Sequence, residues 1–227
     1  MEKSFHIKVS SRPTPTKLKY LKLNEFSADI YLNVGFAQDL SIGVCYRHVV
    51  TSFNCYNFEN IKVVGNMMIT NTPSNTAFRG FGGPQGMMMA EHIMQRVANF
   101  LNLPNEIVRR KNMFKAGDIV PLGSTGLDKE PHRCESPYNL TPMWDQIMES
   151  SDYANRRANV TKFNAEHKFK KRGLAVIPTG FSLGYECKHM NFGYAYVLIY
   201  TDGSVNVHHG GIEMGQEPLR ILSQRWL

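Results

Sequence analysis

The sequence holds no apolar run approaching the roughly 20 residues that a membrane-spanning helix needs. Its N-terminus, M-E-K-S-F-H-I-K-V-S-S-R, also lacks the apolar core of a signal peptide. These absences predict no membrane segment and a cytoplasmic location. There is no C-x-x-C pair either. The four cysteines, Cys45, Cys55, Cys134 and Cys187, never stand two residues apart, which argues against a zinc or iron–sulfur site built from this chain alone and leaves buried thiols as the expectation. Charge is not segregated: the net +7 comes from 26 basic and 19 acidic residues, mostly scattered. The densest basic cluster, Lys168, Lys170, Lys171 and Arg172, encloses the single aromatic Phe169, and no repeated aromatic-interleaved basic motif accompanies it. It reads as a solvated helix end, and nucleic acid is not an expected partner. No internal repeat is present. What remains is ordinary for a globular protein: 42% hydrophobic and 20% charged residues over 227 positions, enough for one large or two small domains with a sizeable core.

Hydrophobic periodicity organises the chain. Residues 1–17, with two prolines among small polar residues, read as poorly structured. Alternating apolar residues from Leu18 to Val34 predict a strand or hairpin, and I-K-V-V-G-N-M-M-I-T predicts a strand. Residues 41–53, S-I-G-V-C-Y-R-H-V-V-T-S-F, fit neither period cleanly. After Pro84 the period changes: Met87, Ala90, Met94, Val97 and Leu101 predict an amphipathic helix, and a short one is expected from Pro104 to Asn112. The twelve methionines, three of them at 87–89, read as core filler. Residues 116–139 read as a long loop. Thr141-Pro142 predicts a helix start, as N-cap plus first-turn proline, with the helix continuing through Met148. A further helix is expected from Tyr153 to near Lys171. Then L-A-V-I-P predicts a strand, and Y-A-Y-V-L-I-Y, T-D-G-S and V-N-V-H-H predict a hairpin with an Asp-Gly turn. Strands, then helices, then strands give the fold class α+β.

One stretch stands apart. Residues 75–86, N-T-A-F-R-G-F-G-G-P-Q-G, place an arginine between two phenylalanines in a glycine-rich run before a proline. The sixth position counted from Gly80 is Gln85 rather than glycine, and no acidic residue stands out about 20 positions later, so the dinucleotide fingerprint fails. The P-loop pattern fails for want of Gly-Lys-Ser/Thr. The residue types leave two readings: a turn whose free N–H groups hold an oxygen-rich ligand at a helix start, or a tight packing turn.

This stretch closely resembles the molybdenum-cofactor domain of the xanthine dehydrogenase/aldehyde oxidase family of molybdenum hydroxylases. So do P-N-E-I-V-R-R-K-N-M-F-K-A-G-D, K-K-R-G-L-A-V-I-P-T and Y-T-D-G-S-V-N-V-H-H-G-G-I-E-M-G-Q, in family order. The resemblance implies a molybdopterin-binding segment over residues 30–216, built of mixed sheets with packed helices. It leaves 1–29 unassigned and 217–227 as a tail unlike the family.

The resemblance also implies roles. Arg79 and Gly80 would meet the molybdenum cofactor, Arg79 through its backbone amide beside the metal. Phe81 would lie on the flat face of the substrate, while Phe78 would pack into the core. Arg47, in D-L-S-I-G-V-C-Y-R-H-V-V, matches the arginine of the xanthine-oxidising branch that binds the substrate's oxygen-bearing edge and stabilises developing negative charge. Tyr185 would form the other aromatic wall, where the family typically has phenylalanine. Glu186 stands where that branch often has threonine, an acidic group in place of a neutral hydroxyl. Gly215 and Gln216 would meet the pyranopterin. The implied activity is oxidative hydroxylation of purines, N-heterocycles or aldehydes, with water as the oxygen source. Electrons would leave through 2Fe-2S clusters and FAD on other domains, in a homodimer. The family's general-base glutamate lies far downstream and has no counterpart here, and Glu213, in the pterin loop, is not read as that base. The chain by itself is therefore expected to turn over little or nothing; the alternative is a non-catalytic chain that associates with full-length subunits. Open sheet edges and exposed apolar faces are expected of such a fragment.

Overall fold

The computed structural model describes residues 5–9, 22–120, 132–134, 139–181, 193–215, 217 and 220. The chain divides into two compact units, 1–182 and 183–227, each described by itself.

The first unit begins with β1 (Phe5–Val9), β2 (Leu23–Gly35), α1 (Ser41–Thr51) and β3 (Asn60–Ile69). β1 pairs antiparallel with β2, and β3 pairs parallel with β2, from Glu25↔Asn60 to Leu32↔Met67. A parallel neighbour requires a crossover, and α1 supplies it. β2 buries Phe26, Ala28, Ile30 and Val34 at alternate positions, the period expected of a strand with one face on the core. Leu23 is also buried, out of phase, because the pairing skips a residue between Lys8↔Glu25 and Val9↔Leu23.

Residues 41–53, ambiguous by period, resolve as α1 followed by a tight turn. α2 (Gly83–Leu101) fulfils the expectation of an amphipathic helix: Met89, Ala90, Ile93, Met94, Val97 and Ala98 form its buried stripe. It stops at Asn102, in the left-handed conformation, with the Leu103 amide donating back to the Ala98 carbonyl at 2.9 Å. α3 (Asn105–Asn112) follows and buries Val108 completely. The core joins these stripes to Phe26, Phe53, Tyr56, Phe58, Phe114 and Trp144. Cys45 and Cys55 are buried free thiols, and Cys134 is buried as well. Burial pushes the Cys55 thiol up to about 12, with the Glu91 carboxylate adding to the effect, so it stays protonated.

Between Gly117 and Cys134 the described residues include a two-residue ladder, β4 (Ile119–Val120) with β5 (His132–Arg133). α4 (Leu140–Ser150) starts two residues earlier than the Thr141-Pro142 signal predicts, after Asn139, and no side chain caps it. α5 (Tyr153–Glu166) ends five residues short of Lys171. Near its end Asn164 ties the chain that follows to the helix: its amide donates to the Arg172 carbonyl at 2.9 Å and its oxygen accepts the Arg172 N–H at 2.8 Å. The basic cluster is thus an exposed loop just after the helix. The predicted strand at Leu174–Pro178 does not form. Two of its carbonyls accept from side chains instead of a ladder: Arg157 donates to Leu174 at 3.3 Å and Asn54 to Pro178 at 2.9 Å.

In the second unit β6 (Ala195–Ile199) and β7 (Val205–His209) form the predicted antiparallel hairpin. Gly203 takes φ +84° in its turn, and Asp202 accepts both the N–H and the hydroxyl of Ser204. Those Ser204 bonds, the hydroxyl's first, hold the Asp202 carboxyl below the usual range. Among the described residues no helix is long and apolar enough to cross a membrane.

Candidate functional site

The glycine-rich stretch forms a tight turn at the start of α2. Gly80, Phe81 and Gly82 take φ of +94°, +52° and +92° in succession. Glycine adopts such values freely, whereas phenylalanine does so only when its surroundings force it. Three hydrogen bonds close the turn: the Phe81 amide donates to the Phe78 carbonyl at 2.7 Å, Gly83 to Gly80 at 2.9 Å and Gly86 to Gly82 at 3.1 Å. Among the described residues the amides of Arg79, Gly80 and Gly82 have no acceptor, which leaves three donors at a helix start for another acceptor.

The turn lies hard against α1, which explains the small residues on both sides. A Cβ on Gly82 would come 2.2 Å from the Val44 carbonyl oxygen, and one on Gly86 would come 2.3 Å from the Thr51 hydroxyl. The Phe81 ring occupies the space over Gly43, where a Cβ would come 2.7 Å from its Cζ. The turn's ring nearest the helix is therefore Phe81, and Phe78, expected in the core, is 81% exposed. Replacing a helical glycine with alanine usually stabilises by about 0.5–1 kcal/mol. Gly43→Ala is expected instead to lower the melting temperature, because the new methyl group must displace the Phe81 ring. Thermal denaturation followed by circular dichroism checks this, and a rise in the midpoint would contradict the placement.

One helical turn beyond Gly43, on the same face of α1, stands Arg47. It is 5% exposed, so it is no surface cation. Its guanidinium carbon lies 4.5 Å from the centre of the Phe181 ring. Phe181 also packs on the start of α2, where a Cβ on Gly83 would meet it at 2.5 Å. Burial pulls the Arg47 pKa below the usual arginine value. α1 thus brings together, within one turn of its length, a buried cation, two phenylalanine rings and the row of free amides.

Not every predicted site residue joins this group. The Arg79 side chain is exposed, so only its backbone faces the role assigned to it. Tyr185, Glu186 and Gln216, like Cys187, lie outside the described residues. Gly215 belongs to the second unit. It takes φ +97°, and its amide donates to Glu213 Oε1 at 2.7 Å. The Glu213 carboxylate, which also accepts the Glu217 amide at 3.2 Å, is occupied within its own loop.

The sequence reading missed Phe181, Asn54 and Glu91. Phe181 stands four residues before the aromatic singled out at Tyr185. Asn54 and Glu91 carry no motif, since their partners are distant in the chain. Among the described residues no cluster of three His, Cys, Asp or Glu could hold a metal ion. A groove of about 510 Å3 between α4 and residues 176–179 is lined by Met143, Trp144, Ile147 and Ile177 and contains none of the predicted site residues.

Family models described as the molybdopterin cofactor-binding domain match residues 19–113 and 146–224. The chain is 46% identical over 186 residues to the xanthine dehydrogenase/oxidase of Felis catus, which covers 82% of this chain and 13% of that protein. It is 39% identical over 196 residues to the nicotinate hydroxylase of Emericella nidulans, covering 86% and 14%. Its fold matches the aldehyde oxidoreductase from Desulfovibrio gigas with a TM-score of 0.56 at 23% identity, over 83% of this chain and 19% of that one. The chain thus spans 13% and 14% of the length of these two curated relatives.

Proposed function

This chain belongs to the xanthine dehydrogenase/aldehyde oxidase family of molybdenum hydroxylases, and from that premise we propose that it supplies the cofactor-facing turn and one wall of the substrate site of a purine or N-heterocycle hydroxylase. The family's cofactor is molybdopterin-bound molybdenum, which when present supplies two-electron oxidation with water as the oxygen source. The turn fits such a group. Three amides of one turn with no acceptor among the described residues suit its oxygen and sulfur atoms, and side chains at Gly80 or Gly82 would need a strained backbone. Arg79 and Gly80 would hold the cofactor from this turn, and Gly215 and Gln216 from the second unit.

The observation that carries the substrate side of the proposal is that the buried Arg47 stands on the face of α1 where Phe81 lies over Gly43, one turn away. Arg47 aims a fixed positive charge at the oxygen-bearing edge of a heterocycle, where negative charge develops during oxidation. Phe81 covers the ring's flat face, and the family resemblance assigns the second aromatic wall to Tyr185. Glu186 beside it would accept a hydrogen bond from a ring N–H. The relative named as a nicotinate hydroxylase supports an N-heterocycle as well as a purine.

The activity is assigned to a longer polypeptide that also carries the general base, 2Fe-2S clusters and FAD, assembled as a homodimer in the cytoplasm. The 227-residue chain on its own is expected to turn over neither purines nor aldehydes. In the complete enzyme, Arg47→Met is expected to lower kcat/KM for hypoxanthine about a hundredfold while leaving aldehyde oxidation nearly unchanged. Steady-state kinetics with both substrates checks this. An equal loss on both would mean that Arg47 does not read the heterocycle, and no loss on either would remove it from the site.

A further inference from the structure

Asn54 closes the turn after α1 with φ +50°, a left-handed value that asparagine tolerates, and it is buried. Its side-chain amide makes three hydrogen bonds. Nδ2 donates to Glu91 Oε1 at 3.0 Å and to the Pro178 carbonyl at 2.9 Å, and Oδ1 accepts the Gly180 N–H at 3.1 Å. Toward residues 178–180 this amide acts as a strand neighbour would, taking one N–H and giving to the carbonyl two residues before it. It thereby ties down a segment that has no ladder of its own.

The orientation of that amide is fixed from behind. Glu91, on α2, accepts from the Tyr56 hydroxyl at 2.5 Å through Oε1, and from Arg109 Nε at 2.7 Å through Oε2. A carboxylate held on both oxygens can only accept from Asn54. Nδ2 must therefore face Glu91, and Oδ1 is left for Gly180. The approach is close: a Cβ on Gly180 would come 3.1 Å from Cys55 Sγ. The next residue is Phe181, the ring that covers the Arg47 guanidinium.

We propose that Asn54, anchored by Glu91, is the positioning residue that holds Phe181 over Arg47 and so fixes the direction in which the guanidinium points. Its bearing on catalysis rests on the reading of Arg47 as the residue that binds the substrate's oxygen. Asn54 lies 124 and 126 residues before its two backbone partners. It clamps a distant segment onto the helix that carries Arg47.

The test uses the full chain labelled with 15N and reads the Arg47 Nε–H resonance, which Arg47→Lys identifies by its disappearance. An aromatic face over the guanidinium shifts this signal upfield, and Phe181→Leu gives the position without it. Asn54→Gly keeps the left-handed backbone and removes the clamp. It is expected to move the resonance most of the way to the Phe181→Leu position and to abolish slow exchange of the Gly180 amide. A resonance that stays at the wild-type position with Asn54→Gly overturns the proposal. If that variant loses its dispersed spectrum altogether, Asn54→Asp is read instead. It keeps the size and the acceptor for Gly180 but loses both donors, and it is expected to move the resonance part of the way; no movement overturns the proposal.

In the complete enzyme, Asn54→Gly is expected to lower purine kcat/KM at least about tenfold. Unchanged kcat/KM with a displaced resonance overturns the positioning role. Normal purine oxidation by Arg47→Met would instead remove the functional reading of Arg47, and the resonance would still decide whether the clamp exists.

Discussion

Glu91→Ala is expected to destabilise the chain by about 3–5 kcal/mol, the cost of breaking a buried ion pair from one side. For a chain of this size that corresponds to a fall of roughly 6–20 °C in the melting temperature. The magnitude follows from what the substitution strands. The Glu91–Arg109 pair is nearly enclosed, with side-chain exposures of 11% and 6%. Removing the carboxylate leaves the Arg109 guanidinium, the Tyr56 hydroxyl and one donor of Asn54 without their acceptor. Burial, together with Glu91, already holds the Tyr56 phenol far above its usual range, so it cannot ionise to compensate. Arg110 and Asp145 form a bidentate pair that provides the contrast. That pair is half exposed on both sides, and breaking it by Asp145→Ala is expected to leave the midpoint nearly unchanged. Denaturant unfolding of the two variants measures the difference. A loss below about 1 kcal/mol for Glu91→Ala would mean that water replaces the carboxylate, as it does at exposed pairs.

Gly82→Ala is expected to be the most damaging single-methyl addition in the site, at more than about 3 kcal/mol. Two costs combine. At φ +92° an alanine is strained by about 1–2 kcal/mol. Its Cβ would also sit 2.2 Å from the Val44 carbonyl oxygen, a backbone atom inside α1 that cannot rotate away. The turn and α1 would have to separate, which would also disperse the row of free amides. Gly117 isolates the first cost. It takes φ +86°, and no described atom lies within 4 Å of an added Cβ. Gly117→Ala is therefore expected to cost only about 1–2 kcal/mol. Equal losses for the two variants, measured by the same denaturant titration, would mean that backbone strain accounts for both and that the close contact with α1 is dispensable.

Much of this was legible beforehand where the signal is local. The stripe from Met87 to Leu101 marked α2, and Gly-Gly-Pro marked its start, because helix period and first-turn proline act between residues three or four apart. The Asp-Gly turn flanked by β-branched and aromatic residues marked the β6–β7 hairpin for the same reason. Residues 41–53 were undecidable, since valines and a tyrosine favour a strand as much as a helix. Their state follows from the crossover between parallel strands and from the close approach of Gly43 and Cys45 to Phe81 and Gly65. Phe78 and Phe81 are alike by composition, yet only one can fill the space over Gly43. The run of positive φ values gives it to Phe81 and turns Phe78 to the surface. Leu174–Pro178 has the residues of a strand but pairs with no strand among the described residues, and side chains take the carbonyls of Leu174 and Pro178.

The sequence by itself determined the helix-start turn, the amphipathic helix behind it, the hairpin, and the family to which these segments belong. Each depends on residues that are neighbours along the chain or on whole motifs kept in order. Only the tertiary structure decided that Arg47 is buried under Phe181, that Phe81 lies on Gly43, and that Asn54 and Glu91 hold residues 178–180 in place. Those contacts join positions up to 134 residues apart. A side chain's choice among distant partners depends on the path of the folded backbone, which no local pattern encodes.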